Sequence, residues 1–114
     1  MDFETFTLVL LARRDDAPAL DEQSADALQD AHMAHLAGLQ AAGALLAAGP
    51  LHDERFRGLC IYRAAVGEAR ELAEADPAVR AGRFSVSAIP WSVPAGVLTF
   101  PGDVALPSSQ GDLG

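Results

Sequence analysis

The sequence predicts an α+β fold of four strands and two helices in the order β, α, β, β, α, β. Three observations carry this. Apolar and β-branched residues fall into strand-like runs at Phe3–Arg13, Gly58–Ala64 and Arg83–Ile89, with the two-residue period clearest in the last. Ala, Leu and Gln recur at helical spacing between them, up to Ala42 and again after Gly67. Turn and stop chemistry at Gly43, Gly49-Pro50 and Asp76-Pro77 divides these runs.

In chain order, Phe3–Arg13 (FETFTLVLLAR) places Phe6, Leu8 and Leu10 on one face and Thr5, Thr7, Val9 and Leu11 on the other. Both faces become apolar toward its end, so both need cover. Arg13–Pro18 is a polar connection, and Asp21 or Ser24 caps the helix that runs to Ala42. Gly43 suits the left-handed position after a helix. The run from Ala44 to Leu51 (ALLAAGPL) is too short and uniformly apolar for a surface helix and reads as a central strand. His52–Arg57 is a charged hairpin loop, and Gly58–Ala64 is the next strand. EARELAEA after Gly67 keeps Ala69, Leu72 and Ala73 on one face and Glu68, Glu71 and Glu74 outside. Asp76-Pro77 breaks that helix and leaves at most one more turn. The last strand, Arg83–Ile89, ends at Pro90-Trp91.

Residues 1–91 therefore form one domain, and residues 92–114, with three prolines and little periodicity, form an irregular tail. The element order is the ferredoxin-like split βαβ arrangement. Two helices cover one face of such a sheet. The other, assigned here to Val9, Leu11 and one side of the Leu59–Tyr62 strand, predicts a homodimer through the sheet face.

Composition narrows the function. The 114 residues carry 8 basic and 16 acidic groups, a net charge of −8, and every basic residue is arginine. The lack of lysine excludes Schiff-base chemistry and a phosphate-loop lysine. An acidic surface argues against nucleic acid or an anionic membrane as partner. The one cysteine, Cys60, lies in an apolar strand and reads as core. Asp2 and Glu4 stand where a signal peptide needs positive charge, and no apolar run is long enough to span a bilayer. The expected location is cytoplasmic.

The hint of chemistry is His32–Leu51. At about 100° per residue, His32 and His35 share an apolar stripe with Leu28, Leu36 and Leu39, while Asp30, Ala34, Ala37 and Ala41 point away. Two imidazoles thus face the interior. From His32, H-x-x-x-L-x-x-L-x-x-x-G-x-L-L-x-A-G-P-L, then Gly58 opening a strand, then EAR and EADP with a following AG, resembles the YCII-related (YciI-like) family. The resemblance covers Phe3 to Trp91. It implies a small dimeric α+β barrel of ferredoxin-like type, with a first-helix histidine facing the aspartate of the D-P motif across a cleft. The positions that match are His32 and Asp76. It also implies lyase-like chemistry, elimination of halide from a small hydroxylated aromatic ring.

A carboxylate accepting from one imidazole nitrogen fixes the tautomer and leaves the other free to take or give a proton. The bland alternatives are a core histidine at His32 and, at Asp76, an N-cap ahead of Pro77 at the first helical position. His35 is expected to line the cleft, and Arg57 or Arg55 to hold an anionic or phenolate oxygen. Tyr62 and Trp91 line an aromatic pocket or fill the core. A metal site would need His32, His35 and His52-Asp53 to converge; none is expected, and no cofactor. The leading expectation is a small-molecule acid–base enzyme of lyase or isomerase type. The competing one is a non-catalytic, metabolite-binding or accessory homodimer.

Overall fold

The computed structural model describes residues 1–113. Its elements are β1 (Phe3–Arg13), α1 (Glu22–Ala41), β2 (Leu45–Pro50), β3 (Phe56–Tyr62), α2 (Val66–Glu74), α3 (Pro77–Arg80) and β4 (Phe84–Pro94), with a final 3-10 turn at Gln110–Leu113. Local chemistry sets the helix ends. The Asp21 side chain accepts the Ser24 N–H at 2.7 Å to start α1, and Gly43 follows its end at φ +86°. Asp76-Pro77 separates α2 from the single turn of α3, which Gly82 ends at φ +80°.

The strands make one antiparallel sheet ordered β2-β3-β1-β4. This corrects the expected barrel. A barrel needs its outermost strands to pair, whereas β2 and β4 are opposite edges of an open sheet. The strand order and helices are otherwise those of the split βαβ arrangement.

Which face is covered also differs from expectation. Val9, Leu11, Cys60 and Tyr62 are buried under the helices, in one cluster with Leu45, Ala69 and Ala73. The open face carries Leu8, Leu10, Leu59 and Ile61, all half-buried, together with Ile89 and Trp91, 47% and 36% exposed. Alternation in β1 separates the two faces, but both are apolar. The side on which the crossover helices land follows from the handedness of the connection.

β4 runs five residues past Ile89 and Pro90-Trp91 does not end it, because β1 is long enough to pair along its whole length, from Arg13↔Phe84 to Phe3↔Pro94. Pro90 and Pro94 lie on an edge strand and four residues apart, so their missing N–H groups point the same way, outward. Beyond β4 the chain is irregular. The Phe100 ring meets Phe6 edge-on at 5.6 Å. The Gln40 side chain then donates to the Val104 carbonyl and accepts the Leu106 N–H at 2.7 Å, and Asp30 accepts the Gln110 N–H at 2.8 Å. The segment is strapped along α1. Gly114, the end of the expected tail, lies outside the described residues.

Cys60 and Tyr62 sit beneath the helices, where ionisation is unfavourable. Burial, with a smaller push from Asp76, raises the Cys60 thiol from 9.0 to about 12. Burial likewise raises the Tyr62 phenol, with smaller effects from Cys60 and Asp76. Groups whose pKa rises on folding stabilise the native state below their unfolded pKa, and that contribution is lost as pH climbs toward the folded value. Urea-unfolding free energies should therefore fall with a steepening slope above pH 9, and Cys60→Ala should make the fall shallower up to about pH 12.

Candidate active site

His32 projects from the middle of α1, and Asp76 sits at the junction of α2 and α3. Their side chains meet, with Nδ1 of His32 2.6 Å from Oδ2 of Asp76. Asp76 is held from behind. Its backbone N–H donates to the Ala73 carbonyl at 3.1 Å, and its Oδ1 accepts the Ala78 N–H at 2.9 Å as the cap of α3, with Pro77 in the first turn. The helix-cap reading and the dyad reading of Asp76 are thus both realised, one on each oxygen. A carboxylate whose side chain is 2% exposed needs such partners, since unpaired burial costs several kcal/mol.

The carboxylate accepts, so Nδ1 of His32 donates the hydrogen of this contact, and in the neutral ring Nε2 carries the lone pair. No buried side-chain nitrogen or oxygen among the described residues lacks a partner. Among the described residues Nε2 makes no hydrogen bond, and it is therefore open to the space beside it. That space is a cavity of about 450 Å³ between α1 and the ends of β1, β2, β3 and β4, lined by His32, Leu11, Met33, Leu36, Cys60 and Phe84, among others. Volume and apolar walls are those of a small-molecule site. The Phe84 ring lies 6.3 Å from that of His32, tilted by 54°.

His35, three residues on, is rotated about 60° around the helix axis and does not line the cavity. Its Nε2–H donates to the Leu72 carbonyl at 2.9 Å and ties α1 to α2. Arg57 does line the cavity. Leu11 pairs with Gly58 and Ala12 with Phe56, so Arg57 is the extra residue of a β-bulge, a device that re-aims a side chain. Its Nη1 donates to the Asp53 carbonyl at 2.5 Å. Arg55 lies over the Phe56 ring instead, at 5.2 Å. Tyr62 belongs to the core at 1% exposure, and Trp91 to the open sheet face. His52 is exposed in the β2–β3 loop. Among the described residues, no three His, Cys, Asp or Glu side chains converge as a metal site would require.

Sequence reasoning missed Arg13, Arg83 and Phe84, and also Leu106, Pro107 and Gln110 of the C-terminal strap, all of which line the cavity. Arg13 and Phe84 are register partners in neighbouring strands, a proximity with no local sequence signal. The strap residues follow from the way Gln40 and Asp30 hold the tail.

The YCII-related domain model matches residues 6–92 of the chain. Among solved structures, the fold is similar to that of 5-chloro-2-hydroxyhydroquinone dehydrochlorinase (TftG) from Burkholderia phenoliruptrix AC1100, a complex with 2,5-dihydroxybenzoquinone. The TM-score is 0.53 at 23% identity, over 75% of this chain and 90% of that one. At that identity the likeness is one of fold. No curated protein matches the chain, and no helix among the described residues is long and apolar enough to cross a membrane.

Removing the Asp76 carboxylate should expose its double role. Asp76→Ala deletes a helix cap and strands a buried imidazole N–H, for a combined loss of about 3 kcal/mol. Asp76→Asn keeps one carbonyl acceptor and should cost roughly half of that. Urea-unfolding midpoints of the two variants against the parent check the order.

Proposed function

The chain belongs to the YCII-related family, and from that premise we propose that it is a small-molecule enzyme in which His32, oriented by Asp76, moves a proton on a small hydroxylated substrate. The observation that carries this is the 2.6 Å Nδ1–Oδ2 contact with the opposite ring nitrogen open to a cavity. Nε2 takes the proton of a substrate hydroxyl, and Asp76 stabilises the imidazolium that forms. The electron pair released at oxygen moves into the substrate as a carbonyl forms. It then either expels a leaving group, which is elimination, or takes the proton back from Nε2 at a carbon, which is isomerisation.

The name of the similar solved structure, a dehydrochlorinase of a chlorinated hydroxyhydroquinone, favours elimination and a hydroxylated aromatic ring. The walls formed by Leu11, Met33, Leu36 and Phe84 suit such a ring, and Arg57 is placed to receive its anionic oxygen. Substrate enters between the strand ends and α1, and Asp76 remains shielded behind the imidazole.

The quaternary state we propose is a homodimer through the open sheet face. Leu8, Leu10, Leu59, Ile61, Ile89 and Trp91 would otherwise leave a contiguous apolar surface in water. This face lies opposite the helices and the cavity, so pairing leaves the site accessible.

Chloride release from 5-chloro-2-hydroxyhydroquinone, and solvent-deuterium exchange into small hydroxylated aromatics, provide the assays. His32→Gln should lower turnover by about 100-fold or more while the protein stays folded by far-UV circular dichroism. Undiminished turnover in that variant, or binding of these compounds with no turnover in the parent, would rule out the catalytic reading and favour a binding protein. In sedimentation, the parent should run at twice the 11.9 kDa chain mass and Ile89→Glu at the single mass; a parent that stays single at micromolar concentration excludes the dimer.

A further inference from the structure

The cavity beside His32 carries a charge pattern opposite to that of the rest of the molecule. The chain has twice as many acidic as basic residues, yet three of its eight arginines, Arg13, Arg57 and Arg83, line this one space, and no aspartate or glutamate does. The sheet gathers them. Arg13 ends β1, Arg57 occupies the bulge of β3, and Arg83 precedes β4, all at the same end. The backbone locks that end together, with the Arg13 N–H on the Arg55 carbonyl at 2.8 Å and the Arg14 N–H on the Arg83 carbonyl at 3.1 Å.

Among the described residues none of the three guanidinium groups pairs with a carboxylate. The ion pairs of the arginines are Arg14 with Asp16 and Arg70 with Glu74. Arg57 donates to a backbone carbonyl, and Arg83 lies over the Phe84 ring at 5.8 Å. One oxygen of the Asp53 carboxylate, Oδ2, accepts the N–H groups of Phe56 and Arg55 at 2.8 and 3.0 Å, and Arg57 acts on this group only as a nearby charge that helps to lower its pKa, without an ion pair. Three like charges around one space repel each other, and a bound anion relieves that repulsion. Among the described residues neither an α-helix N-terminus nor a glycine-rich amide loop contributes to the lining, so recognition falls to planar guanidinium forks. Those match a carboxylate with two parallel N–H···O bonds.

We propose that the substrate is a hydroxylated carboxylic acid: Arg13 and Arg83 hold its carboxylate while its hydroxyl faces Nε2 of His32 and Arg57 keeps its place beside the ring oxygen. This rests on the reading of His32 as the base and adds to it the second functional group of the substrate. Arg13 and Arg83 are specificity-determining residues in this arrangement. An uncharged analogue would meet the same apolar walls and the same imidazole but leave the guanidinium groups without a partner, which is how a site rejects the wrong ligand.

Calorimetric titration of the full chain near neutral pH with 2,5-dihydroxybenzoate and with hydroquinone, the same ring without the carboxylate, tests this. The acid should bind about tenfold more tightly or better, the scale of one charge-assisted bidentate contact. Arg83→Gln and Arg13→Gln should each remove most of that preference and leave hydroquinone binding unchanged. His32→Gln should preserve the preference, so anion recognition is read independently of catalysis. Equal affinity for the two compounds, an equal loss of both in the arginine variants, or no saturable binding of the acid at millimolar concentration would overturn the proposal.

Discussion

The contact between His32 and Asp76 joins the helical layer to itself and at the same time creates the site. Asp76 is nearly sealed from solvent, and a carboxylate in that position is tolerable only because both oxygens have donors, the Ala78 N–H on one and the imidazole on the other. The D-P sequence that stops α2 therefore does three things: it ends a helix, caps the next turn and orients a ring on α1. His35 repeats the tie a turn along, to the Leu72 carbonyl. The two histidines differ in what lies beyond them. His35 is closed in by α2, whereas the free nitrogen of His32 looks into the cavity.

Around that nitrogen the fold separates two environments. Behind it, burial keeps Cys60 and Tyr62 protonated and gives the imidazole a neutral, apolar floor. In front, the strand ends bring arginines to the mouth. An acidic protein with one basic recess concentrates its positive potential there, which favours entry of anions over the surrounding surface. The C-terminal strap, pinned by Gln40 and Asp30, forms a wall of this recess through Leu106 and Pro107.

The open sheet leaves a cost on its far side. The helices cover one face, the tail reaches only as far as Phe6, and leucine and isoleucine side chains from three strands remain half in water. Hydrophobic burial is the main favourable term in folding and association, and the proposed homodimer rests on this surface, on the opposite side of the sheet from the cavity.

Much of this was legible in order. The helix and strand sequence, the cap at Asp21, the turn at Gly43, the break at Asp76-Pro77 and the His32–Asp76 pair could be named in advance. Caps and breaks are local, and the pair follows from an apolar stripe together with the family resemblance. The bulge at Arg57, the run of β4 to Pro94, the side on which the helices lie, the openness of the sheet and the strap across α1 could not. Each depends on which strands pair and in what register, and hydropathy with a period of two is satisfied equally by either face. Arg13, Arg57 and Arg83 are far apart in the chain and carry no motif, so only the tertiary fold, by aligning three strand ends, could make them one site. Local chemistry along the chain set the elements and the residues able to do acid–base chemistry; the long-range pairing of the sheet chose what stands around them.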